Sequence, residues 1–128
     1  MINYLLLFIG CGIGGIFRFL ISTKVNSIFN TNFPYGTLTV NVTGSFLIGL
    51  LSIIITKKFA GNTSIAEQLK TFLLAGFLGG YTTFSSFSLE TVKLMETGAI
   101  VSVISNIGLS IILCIGFTWL GLTLGKYF

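Results

Sequence analysis

Four apolar stretches follow one another along the chain, at about 3–22, 37–56, 66–94 and 99–125, with short polar stretches between them. A helix needs about 20 residues to cross the hydrocarbon core of a bilayer, so each stretch is long enough for one span. The first polar stretch, Thr31-Asn32-Phe33-Pro34-Tyr35-Gly36, holds the only proline. Pro34 suits the start of a helix, where its missing N–H costs little. Lys57 and Lys58 close the second span, and Gly61-Asn62-Thr63-Ser64 follows as a link. Ser64 and Glu67 have the spacing of a capping box, which predicts the start of the third helix at that point. Glu96-Thr97-Gly98 turns the chain into the fourth span. The expected fold is an all-α membrane protein, a single domain of four transmembrane helices.

Polar and small residues inside the spans break the apolar pattern, and their placement points to interfaces and pathways. In span 1, Gly10 and Gly14 form a GxxxG with Gly12 and Gly15 beside them, the kind of surface on which two helix backbones approach closely. Arg18 stands one turn further on; it either snorkels to the interface or draws an anion toward a vestibule. Span 2 places Thr37, Asn41, Ser45 and Gly49 at steps of four, along one helix face. The Asn41 amide must find partners, because burying it unpaired costs a few kcal/mol. It bonds another helix or faces a wet path. Span 4 repeats the device with Ser102, Asn106, Ser110, Cys114 and Thr118, a stripe that curls slowly around a helix of 3.6 residues per turn. Such a spiral suits a track along which an ion is handed between donors, or glue between helices.

Span 3 carries the strongest signal: Gly79-Gly80-Tyr81-Thr82-Thr83-Phe84-Ser85-Ser86-Phe87-Ser88-Leu89-Glu90. Two glycines followed by two β-branched threonines are poor helix material, and they fall near mid-membrane. A broken backbone at that depth is tolerated only inside protein or beside a cavity, and freed carbonyls there are natural cation ligands. The break is therefore expected at 79–83. Phe84 and Phe87 share a face beyond it, among serine hydroxyls. Aromatic rings have a positive edge, so this pair either packs against lipid and protein or holds a small anion without a fixed charge.

Composition narrows the function. Hydrophobic residues make up 53 % of the chain and charged residues 8 %, too little charge to cover the surface of a soluble domain. The net charge is +4, yet the longest basic run is Lys57–Lys58, which suits a membrane edge and not a nucleic acid. Histidine is absent and the only carboxylates are Glu67, Glu90 and Glu96. Histidine-based acid–base catalysis and clustered metal ligands are excluded on that basis, and no enzyme reading survives. Cys11 and Cys114 each sit in an apolar stretch and read as free, buried thiols. Four spans put both termini on one side, with Lys57, Lys58, Lys70 and Lys126 there and Arg18, Lys24 and Lys93 on the other. Orientation follows Lys/Arg bias, and four against three is hardly a bias. Insertion in both orientations, with antiparallel pairing, is the sharper expectation.

Gly14-Gly15 with Arg18, then Phe33-Pro34-Tyr35-Gly36-Thr37-Leu38, Val40-Asn41 and Gly44-Ser45-Phe46, and finally the run from Gly79 to Glu90 closely resemble the Fluc fluoride channels, the CrcB family. The resemblance runs from end to end. It implies a dual-topology antiparallel homodimer in the bacterial plasma (inner) membrane, with two pores that let fluoride leave the cytoplasm passively and so relieve its toxicity. It further implies that Asn41 coordinates fluoride and that Phe84 and Phe87 form an aromatic box. Ser85 and Ser86 would lie near the anion path, with Glu90 near the pore and Asn106, Ser110 and Thr118 on a polar track. The carbonyls of Gly79 and Thr82 would hold a structural sodium ion at the dimer interface. A four-span multidrug exporter, the main competing class, would need an acid in span 1, which has none. A non-conducting membrane scaffold would account for the glycines but not for three separate polar stripes.

Overall fold

The computed structural model describes residues 1–128, and the chain is helical almost throughout. Helix α1 spans Ile2–Phe29 and α2 spans Tyr35–Lys58. The third span is composite: α3 (Thr63–Leu69), a π-helical stretch (Lys70–Leu78), a single turn α4 (Gly79–Tyr81), a break, and α5 (Phe84–Glu96). Helix α6, Ile100–Gly125, completes the chain. Four helical stretches are long and apolar enough to cross a membrane, with Thr63–Glu96 as the third.

Three boundaries differ from the sequence expectation. Helix α1 continues past Ser22 to Phe29, with the Ser22 and Ser27 hydroxyls satisfied by the carbonyls of Phe19 (3.3 Å) and Lys24 (2.7 Å) within the helix. It ends at Asn30, whose left-handed φ of 45° is one that asparagine tolerates. Helix α3 is capped by Asn62, not Ser64: the Asn62 Oδ1 accepts from the Ile65 N–H at 3.1 Å, so the helix starts at Thr63 without a Ser64–Glu67 box. Gly79 and Gly80 are helical, and the break falls at Thr82 (φ −87°, ψ 161°) and Thr83 (φ −153°, ψ 122°), both extended.

Close backbone packing explains why Gly80 stays in the helix. A Cβ on Gly80 would stand 2.5 Å from the Cys11 carbonyl oxygen, and one on Gly10 would stand 2.6 Å from that of Phe72. A Cβ on Gly14 would collide with the Phe77 carbonyl. Helix α1 thus lies against the first half of the third span backbone to backbone, and the helix-propensity cost of glycine, about 1 kcal/mol per residue, is outweighed by that contact. Helices α2 and α6 approach in the same way, with Gly49 against the Thr118 carbonyl and Gly121 against that of Phe46. Lipid removes most of the hydrophobic drive between helices, so packing of this kind holds a membrane bundle together. The buried apolar core is small: Val40, Leu78 and Tyr81. Most large side chains, such as Phe8, Phe19, Ile112 and Trp119, point outward, as the lipid-facing surface of a bundle requires.

Candidate functional site

The break frees backbone groups at mid-membrane, and each has to find a partner. The Thr82 N–H and hydroxyl both donate to the Leu78 carbonyl, each at 2.9 Å. The Thr82 carbonyl accepts from Arg18 Nη1 at 3.1 Å. Asn41 serves both sides of the next residue: its Nδ2 donates to the Thr83 carbonyl at 2.9 Å and its Oδ1 accepts from the Thr83 N–H at 2.8 Å. The Thr83 hydroxyl then accepts from the Ser86 N–H at 3.1 Å and so caps α5. It also lies 3.2 Å from the Ser85 hydroxyl and donates to that of Ser86 at 3.1 Å.

Some groups are left over, and they define the chemistry. The Phe84 and Ser85 amides, in the first turn of α5, have no acceptor within the chain. A helix N-terminus carries partial positive charge. The Gly79 carbonyl receives no backbone amide. Asn41 Nδ2 has two hydrogens, and its protein bond to Thr83 uses one of them.

Of these residues, Asn41, Gly79 and Phe84 line a cavity of about 430 Å³ between the break, α2 and α6. Asn41, Phe84, Phe87 and Ser110 line it, together with Gly79 and Thr82. No charged side chain does. The Phe84 and Phe87 rings are 5.4 Å apart between centroids, tilted by 43°. Phe84 is 79 % exposed in the single chain, an unusual position for a phenylalanine beside polar groups.

Other residues singled out in the sequence lie off this cavity. Ser85 and Ser86 are drawn into the cap of α5 by Thr83. Arg18 reaches the break from the α1 side and spends a donor on the Thr82 carbonyl. Asn106 is almost fully buried and donates to Thr91 Oγ1 at 2.9 Å, joining α6 to α5. Glu90 accepts from the Thr37 hydroxyl through Oε1 at 2.8 Å, while its Oε2 is buried without a partner. Thr118 back-bonds to the Cys114 carbonyl at 2.9 Å and lines a second cavity of about 330 Å³ with Ser45 and Trp119.

Sequence reasoning had not placed Ser45 and Cys114 in the main cavity, although both stood on the polar stripes of their helices. Thr83 was also missed as an organiser of the break. Its signal was present, since a β-branched residue favours extended backbone and a threonine three residues before a helical amide is a ready cap. Gly79 and Thr82 both line the cavity, and backbone carbonyl oxygens are donors of the kind that suits a hard cation such as sodium. A carbonyl oxygen has two lone pairs, so the Arg18 bond leaves one on Thr82.

A family model described as CrcB-like protein, Camphor Resistance (CrcB), matches residues 5–122. A Coxiella burnetii protein named fluoride-specific ion channel FluC is 48 % identical over 124 residues, covering 97 % of this chain and 98 % of that protein. Proteins of the same name are 44 % identical over 126 residues in Agrobacterium fabrum, covering 98 % of each chain. In Sulfurovum the figure is 45 % over 125 residues, covering 96 % of this chain and 94 % of that one.

Proposed function

We propose that this chain, which belongs to the CrcB family, is a fluoride-selective ion channel of the bacterial plasma membrane that lets fluoride leave the cytoplasm down its gradient. It is an integral membrane protein of a transport family and not an enzyme. The observation that carries the reading is the uncharged cavity at the break, where amide and hydroxyl donors stand beside two aromatic rings.

The physical case is one of balance. Fluoride holds its water tightly, so a pore has to replace that water with converging donors. The free Asn41 hydrogen and the Ser110 hydroxyl are such donors, and the open amides of α5 add the field of a helix N-terminus. The positive edges of Phe84 and Phe87 add weak attraction without a charge. A site with a lysine or arginine in it would bind the ion too firmly for throughput. Here the nearby Arg18 is committed to a carbonyl, so its charge biases the region without forming a trap. In this reading Ser85 and Ser86 would border the path, and Glu90, bonded to Thr37, and Asn106, bonded to Thr91, would lie on its outward continuation.

The cavity of one chain is far wider than a fluoride ion. We propose that a second, antiparallel copy narrows it, which makes two pores per homodimer and turns narrowness into selectivity against larger halides. The near-even distribution of lysine and arginine supports such insertion in both orientations. The carbonyls of Gly79 and Thr82 would hold a structural sodium ion at the interface, where it supplies positive charge to two oxygens that lack backbone partners of their own. The test is complementation. In a bacterium deprived of its own fluoride export, this chain should restore growth on fluoride, and the Phe84→Ile chain should restore it weakly or not at all. No restoration by the unmodified chain, despite its presence in the membrane, would count against the proposal.

A further inference from the structure

Arg18 and Asn41 come from different helices, stand 23 positions apart in the sequence, and reach consecutive residues of the break. Arg18 in α1 takes the Thr82 carbonyl at 3.1 Å. Asn41 in α2 takes the Thr83 N–H and carbonyl at 2.8 and 2.9 Å. The Asn41 carboxamide presents one donor and one acceptor side by side, as a neighbouring strand presents its peptide to an extended residue. Thr83 is in extended conformation, with φ −153° and ψ 122°, and no other strand exists to pair with it. The side-chain bonds at the break therefore match the two residues that leave the helix.

We propose that Arg18 and Asn41 form a two-point latch that holds the break extended and fixes the direction in which α5 leaves it, a positioning role that Asn41 fills through its bonds to Thr83 and in addition to offering its free hydrogen. The bonds of the latch are all made within one chain. Its consequence is geometric. Phe84 follows Thr83 directly, so the latch sets where the first ring of the aromatic pair stands and where the open α5 amides point. The rest of the region supports this division of labour. Gly10, Gly14 and Gly80 bring α1 against the third span with backbone contact, which carries Arg18 to the break. Tyr81, just before the break, is held by stacking on Phe77 with centroids 6.0 Å apart and by a 2.9 Å bond to Thr43. Without the latch, two peptide groups in a low-dielectric environment would lose partners, and an unsatisfied buried group costs about 1–3 kcal/mol. The chain would recover those bonds by letting residues 82–85 coil back toward a helix, which would turn Phe84 away from the cavity.

The inference concerning flux rests on the channel reading, whereas the inference concerning the backbone does not. The experiment separates them. Hydrogen exchange of the full-length protein in fluoride-free detergent reads the backbone, and fluoride efflux from liposomes reads conduction. Asn41→Ala and Arg18→Met should each speed exchange of the Thr83 and 86–88 amides by about tenfold, the loss of a hydrogen bond or so, with α6 unchanged. Both should also lower efflux by about tenfold. For Arg18→Met, the ratio to the unmodified protein should be the same at low and high concentrations of an impermeant salt, since a charge that only attracts anions would be screened. Unchanged exchange at Thr83 and 86–88 in both variants would overturn the latch, as would a flux defect of Arg18→Met that disappears in low salt or high salt alone. If Arg18→Met does not assemble, Asn41→Ala decides by the same exchange criterion. If the unmodified protein passes no fluoride, the channel reading falls, and the exchange result still decides the latch.

Discussion

Glycines in α1 show how strongly one atom matters in a bundle that lacks a large apolar core. Gly10 and Gly14 face backbone, while Gly12 and Gly15 face open space. Gly14→Ala should therefore lower stability by about 1–3 kcal/mol, the usual range for overpacking a tight contact, as measured by unfolding in detergent. Gly12→Ala should be neutral or mildly stabilising, because alanine is the better helix former by about 1 kcal/mol. Equal effects of the two substitutions would mean that α1 does not lie on the third span as described. At the same scale, the sequence pointed to Asn41, Phe84, Phe87 and Ser110, and the structure gathers all four on one cavity. Asn106 and Arg18 looked alike in the sequence, as polar groups with two readings each. Only contacts between distant segments decide between them, and those contacts put Asn106 on Thr91 and Arg18 on Thr82.

The third span is the element on which everything else depends, and it was only partly legible. Composition announced a break, since glycine and threonine are poor helix formers. Propensity could not locate it to the residue, because both glycines remain helical and Gly80 serves close packing against α1. The π-helical stretch at Lys70–Leu78 had no sequence signal at all. It depends on how the span fits α1, which is a tertiary matter, and such helices recur near functional sites. Thr83 is the hinge between the two halves. Thr83→Val keeps the extended preference but removes the cap on the Ser86 amide, a loss of about 1 kcal/mol in α5. Thr83→Ser keeps the hydroxyl. Faster exchange at Ser86 in Thr83→Val than in Thr83→Ser would support the cap, and equal exchange would exclude it.

Charge patterning operates at the scale of the whole molecule. The four spans with both termini on one side leave Lys57, Lys58, Lys70 and Lys126 facing Lys24, Lys93 and Arg18. Lys57 donates to the Lys126 carbonyl at 2.6 Å and Arg18 to that of Thr82; both keep their charge, so the near-even count stands. Reporter domains fused to the C-terminus should give signal on both faces of the membrane if copies insert both ways. Signal on one face alone would contradict the antiparallel pair. The four-span fold itself was evident from the apolar pattern. What the proposed second copy would place against the cavity was not, because one chain's sequence does not say which faces meet.

The central claim is that this cavity conducts fluoride and rejects larger halides. Purified protein in liposomes loaded with potassium fluoride or potassium chloride, with valinomycin to carry the counter-ion, tests it directly. Rapid fluoride efflux, little chloride efflux, and slowed or absent fluoride efflux for Phe84→Ile are expected. Equal efflux of both anions, or none from the unmodified protein, would contradict it.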